Sequence, residues 1–483
     1  MKRRDFLKTL GSGFLLAPVS TALLDSCHSP TNPSPQRLSQ PLKMPATING
    51  GTLTGTIGKT DLWKGISSPS YLLNNSYPAP TITLRKGDLF ALSFFNQYGE
   101  MSNLHWHGIS SPAAMDGHPK YAVESGNSIA YSFPVLDRAG TYWYHAHPDH
   151  LTAKQAYMGV AGAFIIHDIE EDALGLPSGD YDLPLVIQDK RLNASGEMIY
   201  SPEHEDIITG YLGDTIFVNG TPDAYFETDK TLYRLRLINA SNARLYNIGF
   251  SDSRNFVLIA NDGGLLEKSV TMKSLYLSPG ERTDILVDFS QDTLGSSVVL
   301  KSLSFAFDSS HQNPTYPQGK EFDLLRFDIK KQTGTKFTIP STLIPYEHLT
   351  ESQAVVTRVF PLTMDHSRPS GMHLIDGKVF DMNRIDYQVK LGDVELWEFQ
   401  NNGDAIHGMH VHGTQFQIAE RLFGTRSIEP NDVGWKDTVY IGPNETVRIL
   451  IRFNAYKGIY LLHCHNLEHE DDGMMVNIEV IQN

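Results

Sequence analysis

Most apolar residues of this chain lie in short segments that alternate with turn-forming residues. Segments rich in β-branched and aromatic residues occur at 81–84, 89–94, 130–133, 140–145, 183–188, 233–238, 284–288 and 460–465. Short runs of this composition, bounded by Gly, Pro, Asn and Thr, are typical of β-strands. The pattern therefore predicts an all-β fold.

The length of the chain, 483 residues, exceeds that of one ordinary domain, so two or three domains are expected. We place a first domain at 46–172, a second at 173–335 and a third at 352–483. Residues 28–45 are rich in Ser, Pro, Thr, Asn and Gln, a composition that predicts a flexible linker.

Residues 1–27 predict an export signal. Arg3 and Arg4 precede an apolar stretch at 10–24, which is typical of the twin-arginine route and predicts a periplasmic or cell-envelope protein. Cys27 follows that stretch directly. Two alternatives stay open: lipidation of Cys27, which would anchor the mature protein to a membrane, and cleavage nearby without a lipid. No apolar run is long enough for a transmembrane helix in the mature protein.

The chemistry of the chain is concentrated near its C-terminus, where Cys464, His469 and Met474 lie close together. One Cys, two His and a weak axial Met are the ligands of a blue-copper electron-transfer site. The fourth ligand must come from elsewhere in the chain. If 460–465 is a strand, its side chains alternate, so His463 and His465 point away from the face that carries Cys464.

Histidines also occur in pairs separated by one residue. On a strand, such residues share a face, so each pair can direct two imidazoles at one point. A zinc site would need about four ligands per ion and is usually richer in Cys. Ten clustered histidines with one Cys and one Met favour copper instead. The pairs are His105 and His107, His145 and His147, His410 and His412, and His463 and His465, which leaves His407 for the Cys464 site.

These motifs resemble those of the multicopper oxidases, most closely the bacterial laccase and copper-efflux types. The resemblance implies three cupredoxin-like Greek-key β-sandwich domains and four copper ions: one type 1, one type 2 and two type 3. It implies that the second domain, which has no histidine pair, binds no copper and spaces the outer two. Gly408 departs from the family, which usually has Pro there.

The resemblance also assigns the ligands residue by residue. Asp116 and Glu470 match the acidic residues that the family uses to deliver protons to O₂. The implied copper ligands are His407, Cys464, His469 and axial Met474 for type 1, His105 and His410 for type 2, and His107, His145 and His465 with His147, His412 and His463 for the two type 3 ions.

Charge and cysteine content agree with this interpretation. The formal net charge of −15 argues against a nucleic-acid partner and fits an acidic protein that attracts cations. The two cysteines are Cys27 and Cys464. We predict no disulfide between them, because it would consume a metal ligand. We expect a monomer whose reaction partners are O₂ and a small reductant.

The expected activity is laccase-like: one-electron oxidation of phenolic or aromatic substrates, coupled to reduction of O₂ to water. The alternative is oxidation of Cu(I) in copper tolerance. Copper-efflux members carry a long methionine-rich segment where this chain has only 364–373, with two Met, and Asp404 precedes the third histidine cluster without a Met. Phenol oxidation is therefore favoured, and 364–373 is predicted to be a surface loop.

Two further classes compete with the oxidase. One is a relative that has lost copper and serves in structure or cell division, which the complete ligand set disfavours. The other is a copper-binding or storage protein without turnover, which oxygen uptake would distinguish.

Overall fold

The computed structural model describes residues 38–307, 309 and 312–482. Within them, β-strands form six sheets, and three large apolar cores each draw their residues from both sheets of one pair. The prediction of an all-β chain with three sandwiches is confirmed. The predicted export signal and Cys27 lie outside the described residues. No helix among the described residues is both long and apolar enough to cross a bilayer.

The first sandwich contains sheets of the order β2-β5-β10-β9-β7 and β4-β3-β6-β8. In β6, every second side chain is buried, so Phe90, Leu92 and Phe94 enter the core. Helices α1 (Thr152–Met158) and α2 (Ile169–Asp172) accompany it. The strands are β1 (Gln40–Pro41), β2 (Thr47–Ile48), β3 (Gly51–Trp63), β4 (Ile66–Leu73), β5 (Thr81–Arg85), β6 (Leu89–Gln97), β7 (Leu104–His107), β8 (Ser128–Pro134), β9 (Gly140–Ala146) and β10 (Ala161–His167).

The second sandwich contains sheets of the order β14-β13-β11-β16-β21-β18-β19, with β12 on β11, and β1-β15-β23-β22-β17-β20. Helix α3 (His204–Thr209) lies in the same region. The strands are β11 (Asp182–Leu192), β12 (Met198–Ile199), β13 (Thr215–Val218), β14 (Thr221–Pro222), β15 (Ala224–Asp229), β16 (Leu232–Asn239), β17 (Tyr246–Phe250), β18 (Phe256–Asn261), β19 (Gly264–Met272), β20 (Ser274–Leu277), β21 (Arg282–Asp288), β22 (Ser297–Ser302) and β23 (Phe322–Lys331).

The third sandwich contains sheets of the order β25-β24-β27-β31-β29 and β26-β33-β32-β28-β30. Helix α4 (Leu467–Asp471) lies between its last two strands in the sequence. The strands are β24 (Ala354–Met364), β25 (His373–Ile375), β26 (Tyr387–Lys390), β27 (Val394–Asn401), β28 (His407–Val411), β29 (Phe416–Leu422), β30 (Thr438–Ile441), β31 (Thr446–Arg452), β32 (Gly458–Cys464) and β33 (Met475–Ile481). Short 3₁₀ turns occur at Ala113–Met115, Pro119–Tyr121, Gly179–Tyr181, Glu351–Gln353 and Pro430–Asp432.

Two features differ from the sequence-based expectation. The predicted linker at 28–45 overlaps strand β1, which pairs in parallel with β15, Gln40 opposite Ala224. Backbone hydrogen bonding therefore holds this part of the linker on the second sandwich. The segment at 364–373 is also not wholly a surface loop, because Met372 and His373 at its end are buried.

Strand β9 is buried along its whole length because another sandwich covers its outer face. Trp143 of β9 packs in a small apolar core with Val186 and Ile238 of the second sandwich. Burial on both faces fits a strand without a solvated side. Contact between the first two sandwiches is therefore extensive next to the strand that leads into His145.

Candidate copper centres

The first candidate centre is a group of three side chains, which we call the Cys464 group: His407, Cys464 and His469. All three are buried, and their ligand atoms converge within 4.8 Å. Sγ of Cys464 lies 3.6 Å from Nδ1 of His407 and 3.6 Å from Nδ1 of His469. One sulfur and two imidazole nitrogens at this spacing are close enough to share one metal ion.

The surroundings of the Cys464 group favour binding of a metal cation. Nε2 of His469 donates to the carbonyl oxygen of Ile208 at 3.1 Å, which leaves the lone pair on Nδ1, facing the sulfur. Burial raises the pKa of Cys464 to about 12, so the thiol keeps its proton near pH 7 until a metal displaces it. Met474, the predicted axial ligand, is fully buried in the same core.

The second candidate centre contains the eight paired histidines, which we call the eight-histidine cluster. They come from β7 and the end of β9 in the first sandwich, and from β28 and β32 with the residues after them in the third. Nε2 of His105 lies 3.2 Å from Nε2 of His410. Nε2 of His463 lies 3.0 Å from Nε2 of His412 and 3.4 Å from Nε2 of His147. The structure thus brings all four predicted pairs together.

Hydrogen bonds determine which nitrogens of the cluster carry lone pairs. Nδ1 of His105 donates to the carbonyl oxygen of Asp116 at 2.6 Å, and Nδ1 of His410 donates to that of Asp437 at 2.8 Å. In neutral rings, both facing Nε2 atoms are therefore unprotonated. Two lone pairs at 3.2 Å repel each other unless a cation lies between them, so this geometry fits a bound metal.

Other ring nitrogens in the cluster have no hydrogen-bond partner although they are buried. These include Nδ1 of His107, Nε2 of His145 and both nitrogens of His465. Burial lowers the pKa of His145 to about 4, so its ring is neutral near pH 7. Buried polar atoms without partners are costly in a folded protein. Imidazole nitrogens together with a Cys and a Met are suitable copper ligands.

Two buried acids contact the eight-histidine cluster. Asp116 accepts from Nδ1 of His412 at 2.7 Å, and burial raises its pKa well above the usual range. Glu470 places one oxygen 3.1 Å from Nδ1 of His463 and the other 3.5 Å from Nδ1 of His147. Both acids therefore contact candidate ligands of the cluster.

The second sandwich contacts the cluster directly, which sequence reasoning did not anticipate. Gly280 lies against two candidate ligands: a Cβ there would come within 2.9 Å of His465 and 3.2 Å of His107. Gly280 has φ +84°, a conformation that side chains other than glycine adopt at a cost. The second sandwich therefore forms one wall of the cluster.

A buried ion pair continues this wall. Both guanidinium nitrogens of Arg282 donate to the carboxylate of Asp437, at 2.6 and 2.5 Å. Asp437 in turn accepts from Nε2 of His107 at 2.9 Å. Hydrogen bonds of this kind orient metal ligands. The position of His107, from the first sandwich, therefore depends on Asp437 of the third sandwich and Arg282 of the second. In the sequence, Arg282 ends a Ser-Pro-Gly-Glu-Arg run at 278–282 that indicates a turn between strands, and this run does not reveal the charge partner.

The three sandwiches and the two buried nitrogen and sulfur centres define a copper-dependent oxidoreductase. Sequence models described as multicopper oxidase match residues 58–171, 200–315 and 351–483. A multicopper oxidase of Staphylococcus aureus is 33% identical over 433 residues, covering 89% of this chain and 88% of the relative. A laccase of Bacillus subtilis is 30% identical over 467 residues, covering 84% and 89%.

The fold leads to the same family. The crystal structure of the multicopper oxidase McoA from the hyperthermophile Aquifex aeolicus superposes with a TM-score of 0.82 at 37% identity, covering 91% of this chain and 99% of that one. The chain therefore belongs to the multicopper oxidases, and it is an oxidoreductase that uses copper and O₂.

Proposed function

We propose that this protein is a laccase-like oxidase that couples one-electron oxidation of phenolic or aromatic reductants to reduction of O₂ to water. The observation that carries the proposal is the position of Cys464 between His463 and His465. Alternation along β32 and the following residue directs Cys464 to one centre and its two neighbours to the other. A few covalent bonds thus join the Cys464 group to the eight-histidine cluster.

The residues present fit four copper ions. The Cys464 group with Met474 would hold one, and the eight-histidine cluster would hold three, with the ligands divided as the family resemblance implies. Bound copper would supply single-electron oxidation at the Cys464 group and reduction of O₂ at the cluster. Asp116, whose pKa is raised by burial, would hold a proton beside the cluster. The carboxylate of Glu470, 3.1 Å from Nδ1 of His463, would accept one there.

The reductant would enter at a surface cavity of about 250 Å³ that reaches His407. Pockets for drug-sized ligands have volumes of ~300–1,000 Å³, so a cavity of this size fits a single aromatic ring. Asp404 lines the cavity and offers a carboxylate to the phenolic proton. His407 is part of the Cys464 group, so a bound phenol would lie next to the first electron acceptor.

The same cavity favours a second candidate function, oxidation of Cu(I). Met364, His366 and Asp404 all line it beside His407. Thioether and imidazole are ligands that suit Cu(I). Phenol oxidation stays the first proposal for two reasons. The laccase of Bacillus subtilis matches 84% of this chain, and this chain has only a short segment with two Met at 364–373.

The test is steady-state oxygen uptake with a methoxyphenol, a bilirubin-type tetrapyrrole and Cu(I) in parallel. Met364→Leu removes the thioether but keeps the volume, and Asp404→Asn removes the carboxylate charge. The proposal predicts that Asp404→Asn lowers kcat/KM for the phenol while Met364→Leu does not. If Cu(I) is the one reductant of the three that supports oxygen uptake, and Met364→Leu reduces that uptake, the second function is established instead. Full copper content without oxygen uptake on any of the three substrates would refute both candidate functions.

We also propose that the protein is exported by a twin-arginine-type route and acts as a monomer in the periplasm or cell envelope. Support comes from Arg3, Arg4 and the apolar stretch at 10–24. An anchor through Cys27 is tested by comparing membrane sedimentation of the wild type with Cys27→Ala. Release of the variant alone supports lipidation, whereas equal distribution argues for cleavage without a lipid.

A further inference from the structure

A buried histidine outside the predicted ligand set lies directly on the Cys464 group. His373, at the start of β25, is 0% exposed. Its ring stacks on that of His469, with centroids 3.7 Å apart and planes inclined by 18°. His373 is not one of the three side chains whose ligand atoms converge at this centre. Its relation to a bound metal is therefore contact with a ligand rather than coordination.

The stack is held in place by Asp472, which follows helix α4. Asp472 accepts from the backbone N–H groups of Gly371 and Met372, both at 2.7 Å. It also lies 3.2 Å from Nδ1 of His373. Residues three apart in a helical segment lie on neighbouring positions of one face. The segment that carries Asp472 therefore also carries His469, and one carboxylate ties the segment before β25 to the candidate ligand.

Three contacts leave the His469 ring little freedom. One nitrogen donates to Ile208 O at 3.1 Å, the other faces the sulfur of Cys464 at 3.6 Å, and one ring face is covered by His373. A shell that orients a ligand and excludes solvent controls the potential of the metal it surrounds. Water at this face would favour Cu(II) over Cu(I), because the more highly charged ion gains more from a polar medium.

We propose that His373 is a positioning residue for His469: by covering one ring face, it fixes the ligand plane, excludes water and raises the reduction potential of copper bound at the Cys464 group. This proposal rests on the proposed function only in requiring copper at that group. It does not depend on which reductant the enzyme oxidises.

The test compares three substitutions in the copper-loaded full-length protein. His373→Phe keeps a stacking ring, His373→Ala removes it, and His373→Gln keeps a polar planar group without a ring. We expect Ala and Gln to lower the midpoint potential in a redox titration of the visible copper band and to change the copper hyperfine splitting in the EPR spectrum. His373→Phe should stay close to the wild type in both measurements.

A matched control is His118→Phe, which replaces another buried histidine, bonded to Asn477 at 2.7 Å and outside both centres. It should leave the potential unchanged. If His373→Ala does not bind copper, His373→Gln is used for the comparison instead. A wild-type midpoint potential in His373→Gln would then overturn the proposal. A potential in His373→Phe as low as in His373→Ala also overturns it. A wild-type protein with a visible copper band but no oxygen uptake would refute the proposed function while leaving this comparison intact.

Discussion

The two candidate copper centres are built on different plans. The Cys464 group takes its ligand side chains from the third sandwich, and most of them lie in one continuous segment from β32 to β33. The eight-histidine cluster takes half of its side chains from the first sandwich and half from the third, with Gly280 of the second against two of them. One centre depends mainly on the fold of a single domain, whereas the other depends on how three domains dock.

Because of this difference, we expect the two centres to respond to different substitutions. Replacing one of the three side chains of the Cys464 group should affect that group and leave the side chains of the cluster in place. A change at the wall formed by the second sandwich should affect the cluster and spare the Cys464 group. Electron transfer requires both, since Cys464 and its neighbours join them, but copper binding at the two centres should be separable.

The largest expected effect comes from Cys464→Ser. It removes the sulfur ligand, so the intense visible absorption from thiolate-to-copper charge transfer should disappear and oxidation of any reductant should stop. The eight-histidine cluster should still bind copper, because its side chains are unchanged. Visible spectra and copper content per chain measure both parts. A variant that stayed blue would refute the assignment of Cys464.

The next effect concerns protons at the cluster. Asp116→Asn or Glu470→Gln should slow reoxidation by O₂ by roughly 10²–10⁴-fold, the range for lost general acid catalysis. Reduction of the Cys464 group should be nearly unchanged, because both carboxylates lie beside histidines of the eight-histidine cluster. Stopped-flow bleaching without oxygen, followed by recovery on adding oxygen, separates the two steps in samples matched for copper content.

Two outcomes would contradict this assignment. Reoxidation at the wild-type rate in both variants would exclude proton delivery by these acids. Loss of copper together with turnover would show that the acids only hold His412, His463 and His147 in place.

A smaller effect should isolate the wall of the second sandwich. Gly280→Ala places a methyl group 2.9 Å from His465 and should weaken copper binding at the cluster ~10–100-fold, as changes in groups around a metal site do. Gly295→Ala is the matched control, with the same φ of +84° but nothing within 4 Å. Chelator competition measures the affinity. Equal affinities in both variants would show that only backbone strain matters.

The smallest effect is expected at the axial position. Met474→Leu should keep the visible copper band and raise the midpoint potential, because a weak donor is lost and the site becomes more apolar. A one-electron shift of ~59 mV corresponds to a tenfold change in the redox equilibrium, and we expect a shift of about this size. A lowered potential would argue against Met474 as the axial ligand.

The strands and the histidine pairs could be predicted from the sequence, because both depend on residues that are close together in the chain. Segments rich in β-branched and aromatic residues predicted strands at 89–94 and 140–145, which lie within β6 (Leu89–Gln97) and β9 (Gly140–Ala146). The predicted strand at 460–465 agrees with β32 (Gly458–Cys464) to within one residue at its end. The paired histidines on these strands could be grouped for the same reason.

Contacts between distant segments could not be predicted in this way. Arg282 and Asp437 are 155 positions apart, and neither residue alone indicates a charge partner in another sandwich. His373 ends a segment that was predicted to be a surface loop. Hydrogen bonds from Gly371 and Met372 to Asp472 hold the end of this segment in a buried position. Strand β1 is two residues long and has no pattern of its own. Each of these features depends on tertiary packing, which a local window does not contain.

The position of Cys464 gives the protein a reporter of domain opening. The chain has two cysteines, and Cys464 is 0% exposed within the third sandwich. A thiol reagent can modify it only when that sandwich opens far enough to admit the reagent. In copper-free Cys27→Ala protein, the alkylation rate would therefore measure the opening of one domain among three. Copper at the Cys464 group would reduce that rate by a factor that grows exponentially with the free energy of stabilisation.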